Sequence, residues 1–272
     1  MIAETVSDIH RITLPGSTLK RGEKANVFWL DAAGGVLIDT GWNTDESFSA
    51  LISALPRRPR HILVTHLHPD HGGAAARLTA WSGASLWVPH EDLWLSETPV
   101  PDNPRYFEGE NPVVLEGLHV DVVHTPGHTP GHRCFHIRGP EALVTGDMVL
   151  GEGSTWVGPP HGDMALYMKS LERLLTRDHK LLLPGHGPIQ ADPLLKIREF
   201  LEHRLARERQ ILSALARGLR HAAEIVAHVY TDTPSYLHPL AESVVHSHVA
   251  KLIAERQVVN EGEGWRVVGN AK

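Results

Sequence analysis

Thiol chemistry is almost absent from this chain: of 272 residues only Cys134 is a cysteine. A single cysteine excludes an internal disulfide and a structural zinc site built from thiolates. Its place in the apolar run Cys134-Phe135-His136-Ile137 predicts a packed core thiol rather than a nucleophile. Missing too is any run near the roughly 18 apolar residues that a membrane span needs. The opening Met1-Ile2-Ala3-Glu4 has no basic segment followed by an apolar stretch, so the expected location is cytoplasmic. Positive charge is not in excess either, and a net charge of -6 argues against a protein that coats nucleic acid through bulk charge. No Gly-x-Ser-x-Gly elbow occurs, which weighs against a serine hydrolase. Histidine, by contrast, is abundant at 20 residues, and it turns the search for chemistry toward imidazole.

Up to about residue 190, short runs of Val, Ile and Leu alternate with helical stretches and Gly/Pro punctuation, the pattern of a layered α/β domain. The expected strands are Asn26–Leu30, Gly35–Asp39, His61–Val64, Ser85–Val88, Leu118–Val123, Arg133–Ile137, Ala142–Val144 and Leu181–Leu183, with helices over Asp45–Leu55, Gly73–Trp81 and Met164–Leu175. From Leu194 the texture changes to an apolar stripe of helical period, Ile197, Phe200, Leu201, Leu205, Ile211, Leu212 and Leu215, interrupted by Arg and Glu. Helical segments Ala222–Val229 and Leu240–Glu255 follow, then short strands Val258–Asn260 and Trp265–Val268. Three helices and a terminal hairpin predict a winged-helix module over 194–272, behind a larger domain over 1–193.

Directly after the strand His61–Val64 comes His66-x-His68-x-Asp70-His71, four ligand-type residues within six positions. A helix would spread them over several faces, whereas a loop at a strand end can turn them toward one point. Neutral imidazole and carboxylate suit zinc, and also manganese or iron. Three later segments repeat the placement at strand ends: His124-Thr-Pro-Gly-His128-Thr-Pro-Gly-His132, Thr145-Gly146-Asp147, and Leu183-Pro-Gly-His186-Gly187. Four recurrences along strand termini predict one site at a sheet edge.

In order and wording these segments resemble the metallo-β-lactamase superfamily of hydrolases, and within it the β-lactamase-like protein 2 group, whose members carry a winged-helix tail. Gly146-Asp-Met-Val-Leu-Gly-Glu-Gly153, Tyr167-Met-Lys-Ser-Leu-Glu-Arg-Leu174 and Pro184-Gly-His-Gly-Pro188 carry the closer resemblance, which continues through Ile197-Arg-Glu-Phe-Leu-Glu-His-Arg204 into the tail. The resemblance implies an αββα sandwich followed by a winged helix, and two divalent metal ions, with zinc first and manganese or iron as alternatives. It implies His66, His68 and His128 as ligands of the first ion, Asp70, His71 and His186 as ligands of the second, Asp147 as the bridge, and Asp39 as support behind the ligands. The implied nucleophile is a hydroxide held between the ions, which Asp70 helps to orient. His132 is a candidate for substrate contact or leaving-group protonation.

The substrate is less legible. Members of the resembled group cleave single-stranded RNA, which makes phosphodiester cleavage the leading expectation, with a small-molecule ester, thioester or lactone as the alternative. A non-catalytic metal-sensing DNA-binding regulator is the reading from another class. Residues 194–272 hold 11 Lys and Arg against 9 Asp and Glu, too even a balance for a strong phosphate-binding surface. The tail is therefore expected to wall the cleft or to build a homodimer rather than to read nucleic acid. Trp42 and Trp156 are candidates to stack on a base or to line an apolar pocket.

Overall fold

The structure is a computed structural model that describes residues 3–6, 8–16 and 24–269. The chain divides into two compact units, the first comprising 1–125, 131–154 and 178–194, and the second 126–130, 155–177 and 195–272.

The first unit is built on two sheets. Seven strands lie side by side in chain order: β1 (Ala3–Val6), β2 (Ile9–Leu14), β3 (Ala25–Leu30), β4 (Val36–Ile38), β5 (His61–Leu63), β6 (Ser85–Val88) and β7 (Arg105–Tyr106). Pairing is antiparallel as far as β4 and parallel from β4 to β7. The second sheet runs in the order β12 (Leu181–Pro184), β11 (Ala142–Gly146), β10 (Arg133–Ile137), β9 (Leu118–His124), β8 (Val113–Leu115), with only β11 and β12 parallel.

The period of two along each strand explains why these segments read as unbroken apolar runs. In β3, Phe28 and Leu30 face one way, into a core shared with Ile38, Leu63, Val122, Phe135, Val144 and Leu183 of both sheets. Val27 and Trp29 face the other way, where they pack with Phe48, Leu51, Ala75 and Leu78 of helices α1 (Asp45–Ala54) and α2 (Ala75–Ser82). Both faces of β3 and β4 are thus covered, and every residue in them is buried. Cys134 is fully buried in β10, as its apolar setting predicts.

The strand-rich start of the chain was not legible in the sequence. β2 is half of the extensive β2–β3 pairing, yet Ile9-His-Arg-Ile-Thr-Leu14 shows no clean alternation, because Arg11 is itself buried and donates to the Gly187 carbonyl at 3.0 Å. β7 and β8, of two and three residues, are too short to leave a periodic signal.

The second unit contains α3 (Met164–Leu175), α4 (Pro193–Ala216), α5 (Ala222–Val229), α6 (His238–Ala254) and the hairpin β13 (Val258–Glu261) and β14 (Gly264–Val267). Ile211, Leu215, Ile225, Val226, Val245, Val249, Leu252 and Val258 form its core. α4 stops before Gly218 at φ +92°, a conformation glycine adopts freely. Glu224 starts α5 by accepting the Arg220 and His221 amides at 2.8 and 3.0 Å. No helix among the described residues is long and apolar enough to cross a membrane.

Candidate metal centre

The loop after β5 is pinned so that its histidines converge. Leu67 is buried in the helix-side core, while the His68 carbonyl accepts the amides of His71 and Gly72 at 3.0 and 2.8 Å. A Cβ at Gly73 would lie 2.0 Å from the Pro69 carbonyl oxygen, so the turn into α2 requires glycine there. Within this loop His66 Nε2 and His68 Nδ1 face each other at 3.1 Å. The other nitrogen of His66, Nδ1, lies 3.1 Å from Thr65 Oγ1.

A second group forms where the ends of β11 and β12 meet the same loop. His71 Nε2 and His186 Nε2 are 3.3 Å apart. Asp147 Oδ1 lies 3.2 Å from the first and 3.4 Å from the second, and Asp70 Oδ2 lies 3.2 Å from His186 Nε2 and 3.8 Å from His71 Nε2. The glycines beside the ligands make this approach possible. A Cβ on Gly185 would sit 2.5 Å from the His71 ring and 2.9 Å from Asp147 Oδ1, and one on Gly146 would sit 2.9 Å from Thr65 Oγ1.

Each imidazole is oriented from behind. Asp39 is buried, with φ +63° just beyond β4. Its Oδ2 takes the His71 Nδ1–H at 2.8 Å, and its Oδ1 takes the Thr65 amide at 2.7 Å. Both oxygens lie within 3.0 Å of the Thr65 hydroxyl. His186 donates Nδ1–H to the Lys24 carbonyl at 2.7 Å. With Nδ1 committed as a donor, Nε2 of each ring presents a lone pair toward the cluster. The Asp39 support expected from the sequence is thus explicit, and Thr65, which sequence reasoning passed over, is part of it.

The charges in this cluster are strongly coupled. Burial alone would raise the Asp70 carboxyl, but the charge of His71 and the hydrogen bond from His186 hold it at about 2. Burial would lower His186, yet Asp147 and the bond to Asp70 lift it to about 9, and His71 is raised in the same sense by Asp147, Asp70 and Asp39. Asp70 therefore stays ionised while the two imidazoles are drawn toward their cationic form, in a space that suits a cation. His66, His71 and Asp147 place one ligand atom each within 4.8 Å of one another, and so do Asp70, His71 and His186. The donor set, nitrogen and carboxylate oxygen with the far nitrogens locked, fits a divalent metal ion.

Six of the seven expected ligands, His66, His68, Asp70, His71, Asp147 and His186, belong to the first unit. His128 belongs to the second, where its Nδ1–H donates to the Trp156 carbonyl at 2.8 Å. His132 is fully buried, with Nδ1 2.9 Å from Thr125 Oγ1 and Nε2 accepting the Asp147 amide at 3.1 Å. Both ring nitrogens are in use, Nδ1 beside the Thr125 hydroxyl and Nε2 on the Asp147 main chain. Two further groups secure the segment that carries it: Asp92 accepts the Gly131 amide at 2.6 Å, and Glu91 pairs with buried Arg133 at 2.8 Å. Trp42 is buried, so it offers no free face for a base, and the Trp156 indole N–H donates to Ser243 Oγ at 2.7 Å.

Residues 21–186 match the metallo-beta-lactamase superfamily. The chain belongs to that superfamily. Residues 222–265 match the beta-lactamase associated winged helix domain. A Caenorhabditis elegans protein named beta-lactamase-like protein 2 homolog is 30% identical over 230 residues, covering 83% of this chain and 77% of that protein. The atrochrysone carboxyl ACP thioesterase of Aspergillus chevalieri is 30% identical over 252 residues, covering 86% of this chain and 78% of its own. A beta-lactamase domain protein from Burkholderia ambifaria shares the fold with a TM-score of 0.86 at 21% identity, over 97% of this chain and 93% of that one. The protein is accordingly a metallo-β-lactamase-fold hydrolase with a C-terminal winged-helix domain, the fold and enzyme class that the motifs imply.

Proposed function

We propose that this superfamily member hydrolyses the activated carbonyl of a small-molecule thioester, using two divalent ions, zinc in the first instance. The observation that carries the metal-dependent reading is the group His71 Nε2, His186 Nε2, Asp70 Oδ2 and Asp147 Oδ1, brought together with the far nitrogen of each imidazole already bonded. His66, His68 and His128 would hold the first ion and Asp70, His71 and His186 the second, with Asp147 shared, as the motif resemblance implies. When bound, such ions would lower the pKa of a water and polarise the oxygen of the group under attack.

The chain's own residues supply order and charge. Asp39 and the Lys24 carbonyl keep the His71 and His186 lone pairs facing inward. Asp70 Oδ2 stays ionised at neutral pH, so it serves as a ligand and as a hydrogen-bond acceptor that orients the attacking water. His132 fixes the Asp147 main chain through its accepted amide bond and acts as a positioning residue.

A thioester is favoured over single-stranded RNA by two observations. One is the thioesterase among the relatives. The other is the winged-helix surface, over the domain proposed to span 194–272 behind a catalytic domain over 1–193. Arg220 and Arg266 pair with Glu261 at 2.8 and 2.9 Å, and Lys251 pairs with Glu208 and Glu255 at 2.8 and 2.9 Å. On α6 the exposed positions Pro239, Leu240, His246, Ala250 and Ala254 include no Lys or Arg to read phosphate, which also disfavours a DNA-binding sensor. The test is turnover of an acylated thiol, a lactone and a fluorescent single-stranded RNA by the metal-loaded protein, with Asp70→Ala as the blank. Thioester turnover that the blank lacks supports the reading; RNA cleavage without it would overturn the substrate assignment.

A further inference from the structure

His128 stands on a loop with no regular structure, so something outside the loop must hold its ring. The Nδ1–H of His128 donates to the main-chain carbonyl of Trp156 at 2.8 Å. That tryptophan is anchored at its other end, because its indole N–H donates to Ser243 Oγ at 2.7 Å. Ser243 lies on α6, the third helix of the winged-helix domain, and its hydroxyl hydrogen is given to the Leu240 carbonyl at 2.7 Å. The hydroxyl oxygen is therefore left as an acceptor for the indole. The chain of bonds from α6 to the imidazole is complete in donor and acceptor sense.

The surroundings leave this chain little slack. A Cβ on Gly158 would sit 2.7 Å from Ser243 Oγ and 2.9 Å from the Trp156 ring, so only glycine lets the two meet. Just before Trp156, the Thr155 carbonyl accepts a hydrogen bond from Arg204 of α4, whose guanidinium lies 5.2 Å over the Tyr167 ring. The loop that carries His128 is tied to α3 as well: the Asp163 amide donates to the Gly127 carbonyl at 2.8 Å and Ser170 Oγ to the Pro126 carbonyl at 2.8 Å.

We propose that Ser243 and Trp156 are positioning residues for His128, so that α6 of the winged-helix domain sets the affinity of one metal ion. This rests on His128 being a ligand. The carbonyl of Trp156 selects the tautomer with hydrogen on Nδ1 and the lone pair on Nε2, and Ser243 holds the Trp156 residue in register. A helix that in nucleic-acid readers lies in a groove here supports an imidazole instead.

The experiment titrates full-length, metal-free protein with Zn²⁺ against a chromophoric chelator, comparing wild type, Ser243→Ala, Trp156→Phe, the double variant and His128→Ala. Supporting atoms behind a ligand change metal affinity by roughly 10- to 100-fold, and these act one bond further back, so each single variant is expected to weaken one ion about tenfold and leave the other unchanged. The double variant is expected to be no weaker than either single, because both break the same chain. Wild-type affinity for both ions in Ser243→Ala and in Trp156→Phe, while His128→Ala loses one ion, overturns the positioning role alone. Retention of both ions by His128→Ala overturns the ligand reading and the positioning role with it.

Discussion

Replacing Asp39 by asparagine keeps size and shape, and asparagine tolerates the +63° φ at this position. What changes is the sign of one contact. The Thr65 amide is fixed main chain and needs the acceptor it now finds at 2.7 Å, so the asparagine carbonyl must stay there. The NH₂ then faces His71 Nδ1, where the carboxylate oxygen now sits at 2.8 Å. Two donors cannot share that line. The imidazole must move its proton to Nε2, which removes the lone pair aimed at His186, Asp70 and Asp147. A hydrogen bond to a charged acceptor contributes about 1.5–3 kcal/mol against about 1 for a neutral pair. The expected cost to the second ion is therefore about 10- to 100-fold in affinity, or about 1.4–2.8 kcal/mol. Chelator competition on the folded variant measures it. Two ions bound with wild-type affinity by Asp39→Asn would refute the orientation argument.

Gly127→Ala should destabilise the protein by about 3 kcal/mol, since its φ is +135° and a Cβ would lie 2.3 Å from the Tyr167 main chain; urea unfolding reads the change. His203, although its side chain reaches the surface, is lowered to about 4 by partial desolvation and by the neighbouring charges of Arg204 and Arg207. Its pKa is depressed relative to the unfolded value of 6.5, so the unfolded chain takes up the proton first, and stability should fall as pH drops from about 6.5 toward 4. His203→Gln should flatten that slope in a series of urea midpoints, and an unchanged slope would exonerate this residue. Stripping bound metal should lower the melting temperature, by an amount that grows with the free-ion concentration of the loaded reference; equal melting curves with and without chelator would contradict a site that binds ions in the folded state.

The sequence revealed the parts of this fold that repeat. Strand ends carrying His, Asp and Gly recur four times, and β6, β10, α3 and α5 begin and end where the apolar pattern places them. Sequence reasoning failed where the determinants are non-local or brief. Arg11 interrupts the pattern of β2 because its partner, Gly187, lies 176 residues away. The Trp156 bond to Ser243 spans 87 residues, and no spacing rule announces it. The motif spacing also does not announce that both nitrogens of His132 are engaged, by Thr125 and by the Asp147 amide.

The number of ions held distinguishes a two-ion centre from any other arrangement of these ligands. Metal analysis of purified wild type and Asp70→Ala, with acyl-thiol turnover measured on the same samples, is the most direct test. Two equivalents of divalent metal in the wild type, one in the variant and no turnover by the variant are the predicted result. Two equivalents in Asp70→Ala together with near-wild-type turnover would contradict the two-ion centre.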